Sequence, residues 1–162
     1  MSPTRVLISD DHMFMRRGLR TILDATEEYE VVGEAADGRQ TLELIARLTP
    51  DILVMDISMP PPNGLEVAAI LHRSLPSIKI LLITVHESEE MLRAAAAAGA
   101  SGYLLKSDAE EQLLLALRAL EAGRPFVSPA FDPTLSRHFS TRRLGHFDAL
   151  RVKGFRKTHK NP

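Results

Sequence analysis

The chain predicts a doubly wound α/β fold, (βα)5, with five parallel strands in the order 2-1-3-4-5. Three observations carry this prediction. Five short runs rich in Val, Ile and Leu recur between residues 5 and 106. A stretch with helical apolar spacing follows each run. The runs are nearly continuous in apolar residues rather than alternating, which suits a parallel sheet covered on both faces.

The first strand is RVLIS (5–9), and Asp10-Asp11 follows it. The next helix places Met15, Leu19, Ile22 and Leu23 on one face. The second strand is YEVVGEA (29–35), and its helix runs from near Gly38 to Pro50 with Leu42, Ile45 and Ala46 inward. The third strand, DILVMD (51–56), ends in Asp56, and the turn after it holds Pro60, Pro61 and Pro62. Its helix follows Gly64 and stops before Pro76. The fourth strand, IKILLIT (78–84), ends in Thr84. Its helix starts at Ser88, carries Glu89 and Glu90 in the first turn, and ends at Gly99. The fifth strand, SGYLLK (101–106), ends in Lys106. The last helix opens with Ser107-Asp-Ala-Glu110, a capping-box pattern, and ends at Gly123.

Composition narrows the class. With 162 residues, the chain fits one domain plus some excess. An apolar content of 44% and a charged content of 25% are ordinary for a globular protein. The absence of cysteine excludes disulfides and thiolate zinc sites. No apolar stretch is long enough for a bilayer span, and the N-terminus lacks a signal pattern. A cytoplasmic protein without membrane association is expected. The net charge of −1 hides an asymmetry. Residues 1–131 carry 12 Lys and Arg against 19 Asp and Glu, a net of −7. Residues 132–162 carry 8 against 2, a net of +6. The expected organisation is a domain over 1–123 and a basic, mostly irregular tail over 124–162. The tail cannot bury a core alone; Pro133–His138 and His146–Val152 are its candidate short helices.

A doubly wound sheet binds its ligand outside the carboxyl ends of the strands, where strand order reverses. Asp10, Asp11, Asp56, Thr84 and Lys106 all sit at such ends. Three close carboxylates repel one another, and a divalent cation removes that penalty. An all-oxygen donor set favours Mg²⁺, which combines carboxylates with waters and phosphate oxygens. Asp56 then reads as a nucleophile toward phosphorus, with Lys106 and Thr84 as donors to a phosphoryl oxygen. Taken singly, each residue has a plainer reading. Asp10 and Asp11 suit a helix cap, Asp56 a turn, Lys106 a solvated strand end, and Thr84 and Tyr103 strand packing. A transition-metal site built from His12, His86 and Asp56 is a further reading, which the oxygen-rich set makes unnecessary.

The Asp10-Asp11 pair, the D-x-x-M-P-x-x-N-G run from Asp56, Thr84 and GYLLK together resemble the receiver domain of two-component response regulators. The similarity covers about residues 4–123, and the segment GASGYLLKSDAEEQLLLALRALEAGRPFVSP is most similar to the NarL/FixJ branch. The resemblance implies the flavodoxin-like receiver fold and a phosphoacceptor role for Asp56, supplied by a sensor histidine kinase. It implies Mg²⁺ held directly by Asp11, Asp56 and the Ser58 carbonyl, with Asp10 acting through water. It makes Thr84 and Lys106 the phosphoryl-binding pair, and Thr84 with Tyr103 the switch. Such a domain is a phosphoacceptor rather than an enzyme, though it catalyses its own phosphorylation and slow dephosphorylation. A homodimer through the fourth helix and fifth strand, or through the first and fifth helices, is a further expectation.

Some positions depart from the family pattern. Pro61 and Pro62 stand where Gly-Met is usual, Val85 where Ala is common, and Ser58 and His86 at positions that tune dephosphorylation. Members of this branch continue into a helix-turn-helix output domain, and no such pattern follows Phe131. The basic tail therefore has three readings: a remnant of a longer ancestor, a docking segment, or a non-specific nucleic-acid contact. The last leaves a DNA-binding transcriptional regulator, with a truncated or partner-supplied output, as the rival function. A phosphatase using Asp56 needs a second acid two residues on, where Ser58 stands, and no P-loop is present.

Overall fold

The apolar runs become a parallel sheet because each carries two interleaved apolar faces. Strands β1 (Thr4–Ser9), β2 (Tyr29–Ala35), β3 (Ile52–Asp56), β4 (Lys79–Thr84) and β5 (Gly102–Leu105) alternate with helices α1 (Met13–Asp24), α2 (Gly38–Leu48), α3 (Gly64–Ser74), α4 (Glu89–Ala97) and α5 (Ala109–Glu121). The computed structural model describes residues 2–139. Val6, Ile8, Ile52, Val54, Leu81 and Ile83 face one layer with Leu19, Leu23, Leu113 and Leu117 of α1 and α5. Leu7, Leu53, Met55, Ile80 and Leu82 face the other, against Ile45, Val67, Leu71 and Leu92 of α2, α3 and α4. Period-two alternation thus persists beneath a uniformly apolar surface.

The strand order is β2-β1-β3-β4-β5-β6, all parallel, so the expected five-strand order holds and gains one strand. That strand, β6 (Phe126–Val127), pairs Gly102 with Phe126 and Tyr103 with Val127. Two residues are too short a run to read as a strand beforehand. After β6 the chain stays on the domain. Pro133–His138 forms a 3₁₀ turn as expected, with Pro133 in its first turn and the Asp132 carboxylate accepting the Thr134 amide at 2.9 Å. Phe131, Leu135 and Phe139 are buried in the layer that contains α4. The second candidate, His146–Val152, lies outside the described residues.

Two local expectations are corrected. Ala46 is exposed. Leu42 and Leu44 pack inward beside Ile45, and Leu48 closes on Gly33. The helix therefore turns its leucine-bearing side to the sheet. The capping box does not form at Ser107–Glu110: Lys106–Asp108 is a 3₁₀ turn, and the Asp108 side chain caps nothing. Lys106 is drawn toward two aspartates, which fixes the backbone there differently. A capping box forms instead at α3, where Asn63 and Glu66 exchange bonds of 3.0 and 3.2 Å. Ser88 caps α4 by accepting the Met91 amide, and Gly99 ends that region at φ +95° with the His72 ring against its Cα.

Gly64 is where the fold fixes the site most tightly. A Cβ there would lie 2.4 Å from the Asp56 carbonyl oxygen and 2.7 Å from the Ile57 Cα. Both are backbone atoms of the strand end and cannot swing aside. Gly64→Ala is expected to cost about 3 kcal/mol in urea unfolding. Gly18→Ala in α1, where a Cβ meets nothing within 4 Å, is expected to stabilise by roughly 0.5–1 kcal/mol.

Candidate functional site

Strands β1 and β3 are neighbours, and β5 lies one strand beyond β4, so their carboxyl ends open on one crevice. There Asp10 and Asp56 are both buried, with Asp56 only 1% exposed. Lys106 reaches back between them, its Nζ lying 2.9 Å from Asp10 Oδ2 and 3.1 Å from Asp56 Oδ2. Asp11 is more open and lies 3.1 Å from His12 Nδ1. The plainer readings of Asp10 and Lys106 thereby fail. His12 is the N-cap of α1 and makes no side-chain cap bond, while Asp10 Oδ1 accepts the His12 amide at 2.8 Å. Lys106 is bonded to acids rather than to solvent.

The electrostatics follow from burial. Burial pushes the Asp56 carboxyl above its ordinary range, the charge of Asp10 adds to this, and Lys106 opposes it. Burial alone would pull the Lys106 ammonium down, but bonds to Asp10 and Asp56 outweigh that and raise it. One ammonium thus faces two buried acids, with Asp11 at the rim beside His12. Asp10 Oδ2 is buried, with Lys106 Nζ 2.9 Å away as its ion-pair partner. Asp10, Asp11, His12 and Asp56 each bring a donor atom within 4.8 Å of the others. Three carboxylates that converge on one crevice are a donor set that fits a hard divalent cation. His12 joins that group, whereas His86 faces Ser58, with Nε2 3.4 Å from its Oγ.

The remaining residues line the same crevice. The Ser58 amide donates to Asp56 Oδ1 at 3.1 Å. Thr84 is fully buried, and its Oγ1 accepts the His86 amide at 3.1 Å. Tyr103 is fully buried, and its hydroxyl donates to the His86 carbonyl at 2.7 Å. Burial raises the Tyr103 phenol to about 12. Val85 is 69% exposed. Arg16 was not singled out from sequence, yet its Nη1 donates to the Asp10 carbonyl at 2.6 Å and its Nε lies 3.5 Å from Glu34. No local pattern signals a bridge between α1, β1 and β2.

Among the described residues no helix is long and apolar enough to cross a membrane. A family model for the response regulator receiver domain matches residues 6–118. The oxygen regulatory protein NreC of Staphylococcus haemolyticus is 39% identical over 136 residues, which cover 83% of this chain and 63% of that protein. The chain therefore spans less than two thirds of this relative's length. The solved structure of a LuxR-family two-component response regulator from Aurantimonas aligns with a TM-score of 0.75 and 32% identity, covering 96% of this chain and 99% of that one. The isolated receiver of RcsB from Salmonella enterica, solved with the phosphomimetic BeF₃⁻, aligns with a TM-score of 0.74 and 29% identity, covering 85% and 99%. With its crevice of acids at the strand ends and this match over most of its length, the chain belongs to the response regulator receiver domain family.

Proposed function

We propose that this chain accepts a phosphoryl group on Asp56 from a sensor histidine kinase, with Mg²⁺, and signals by changing its surface. The observation that carries the reading is one lysine between two buried aspartates, with a third acid at the rim. Asp11, Asp56 and the Ser58 carbonyl would hold the cation, with Asp10 acting through water. When bound, the cation would neutralise charge on the acids and on the incoming phosphoryl oxygens. The Asp56 carboxylate attacks phosphorus as the donor's P–N bond breaks. Lys106 and Thr84 bind the phosphoryl oxygens, Lys106 as a point charge and Thr84 through its hydroxyl. Drawing Thr84 to the phosphoryl group changes its contact with the His86 amide, and Tyr103 bonds the same residue's carbonyl. The state is thereby passed to α4 and β5 as a population shift between two packings. We place the domain at residues 1–123 with a basic tail beyond. The DNA-binding alternative rests on the charge of residues 132–162, most of which lie outside the described part, and no observation among the described residues favours it.

Incubation with a small phosphodonor and Mg²⁺ should add about 80 Da to the intact protein. Chelation of the cation should prevent the gain. A gain that persists under chelation, or no gain at all, overturns the proposal.

A further inference from the structure

We infer that residues 126–139 form an intramolecular strap over the α4–β5 face that holds Tyr103 in its buried position, so that strap docking and phosphorylation of Asp56 favour one another. The inference rests on the receiver reading above, and adds to it a reader of the switch within the same chain.

The strap is bonded to the outer edge of β5 at consecutive points. Beyond the β6 pairing, the Ser128 amide donates to the Tyr103 carbonyl at 3.0 Å. The Leu105 amide donates to Ser128 Oγ at 2.7 Å, and Ser128 is fully buried. The edge of the strand that carries Tyr103 is therefore completed by this segment rather than left open.

Side-chain packing adds to the backbone bonds. Phe131 meets the Tyr103 ring edge to face, with centroids 5.4 Å apart and planes at 82°. Leu135 and Phe139 follow at spacings of four, and all three bury in the same cluster as Leu92, Ala95 and Leu105. The outward side of the turn keeps its charge: Arg137 is exposed, and Arg93 of α4 lies 3.3 Å from His138.

Tyr103 is thus gripped from two sides. Its hydroxyl bonds the His86 carbonyl, whose amide bonds Thr84, while its ring edge is covered by Phe131. An outward Tyr103 would lose both contacts, and the strap would lose its central one. The docked strap and the inward Tyr103 therefore belong to one packed state. Any ligand that favours this state at Asp56 must tighten the strap, and the strap must raise affinity at Asp56 by the same factor. An external partner, or a second copy, that uses the α4–β5 face must first displace the strap.

The test uses the full chain with Mg²⁺ and beryllofluoride, a phosphoryl mimic, followed by calorimetry. Phe131→Ala should weaken beryllofluoride binding roughly fivefold or more, the lower end of typical coupling. Leu115→Ala, on an exposed position of α5, should leave it unchanged. Hydrogen exchange on the unmutated chain gives a second readout: the Leu105 and Ser128 amides should exchange several-fold more slowly once beryllofluoride is bound. Tight binding to the wild type with equal affinity in Phe131→Ala overturns the strap alone. Unchanged exchange at both amides on saturation also overturns the strap alone. Failure of the wild type to bind beryllofluoride overturns the receiver reading and the strap together.

Discussion

The Asp56→Asn protein gains no mass from a phosphodonor at any Mg²⁺ concentration, and without divalent cation at pH 7 it melts at a higher temperature than the wild type. The first half follows from removing the nucleophile, so the loss is complete. The second half follows from the raised carboxyl of Asp56, which burial and then the charge of Asp10 push up. An acid whose folded-state pKa lies above its unfolded value contributes stability below the unfolded pKa. It loses that contribution as pH rises through the folded value. Above the ordinary carboxylate range the buried Asp56 acid therefore opposes folding, and a neutral amide of the same shape does not. Asp10, 2.9 Å from Lys106 Nζ, remains as the ion-pair partner of the lysine when the Asp56 charge is removed. Thermal melts in chelator should show the gap narrowing as pH falls into the carboxylate range. Added Mg²⁺ should also close it, because the cation favours the wild type.

Lys106→Met works in the opposite direction. The methionine keeps the apolar stem and removes the only ammonium that lies against Asp10 Oδ2 and Asp56 Oδ2 among the described residues. Two buried carboxylates then face each other without compensation. Breaking a buried ion pair from one side costs about 3–5 kcal/mol, which urea unfolding in chelator would read directly. The Asp56 carboxyl should rise further, since the Lys106 bond is the first of the influences that lower it. Phosphoryl transfer from a small donor should slow by roughly 100-fold, as expected when one preorganised donor to developing charge is removed. Adding Asp56→Asn to Lys106→Met should restore part of the lost stability, since one of the two uncompensated charges disappears.

The α/β frame was legible because each strand is a short apolar run closed by a turn signal. The crevice was legible because topology, rather than proximity in sequence, decides which strand ends meet. Asp10, Asp56 and Lys106 lie far apart along the chain, yet a parallel sheet in this order brings their strand ends together. Local patterns failed where a distant contact overrode them. Ser107 and Glu110 have capping-box spacing, but the pull of Asp10 and Asp56 on Lys106 sets the backbone there. Gly64 was legible as part of a motif, though the reason for glycine is the Asp56 carbonyl packed against it. Phe131, Leu135 and Phe139 were read within a basic tail too sparse to form a core. They bury against α4 and β5, a surface that the tail's own composition does not reveal.

The central claim is that buried acids at the ends of β1 and β3, with Asp11 at the rim, form one cation site beside Lys106. A calorimetric Mg²⁺ titration of the intact chain tests it most directly, compared with Asp11→Asn. The claim predicts one saturable site per chain in the wild type and loss of that site in the variant. Equal Mg²⁺ binding by the two proteins, or no saturable binding by the wild type, would contradict it.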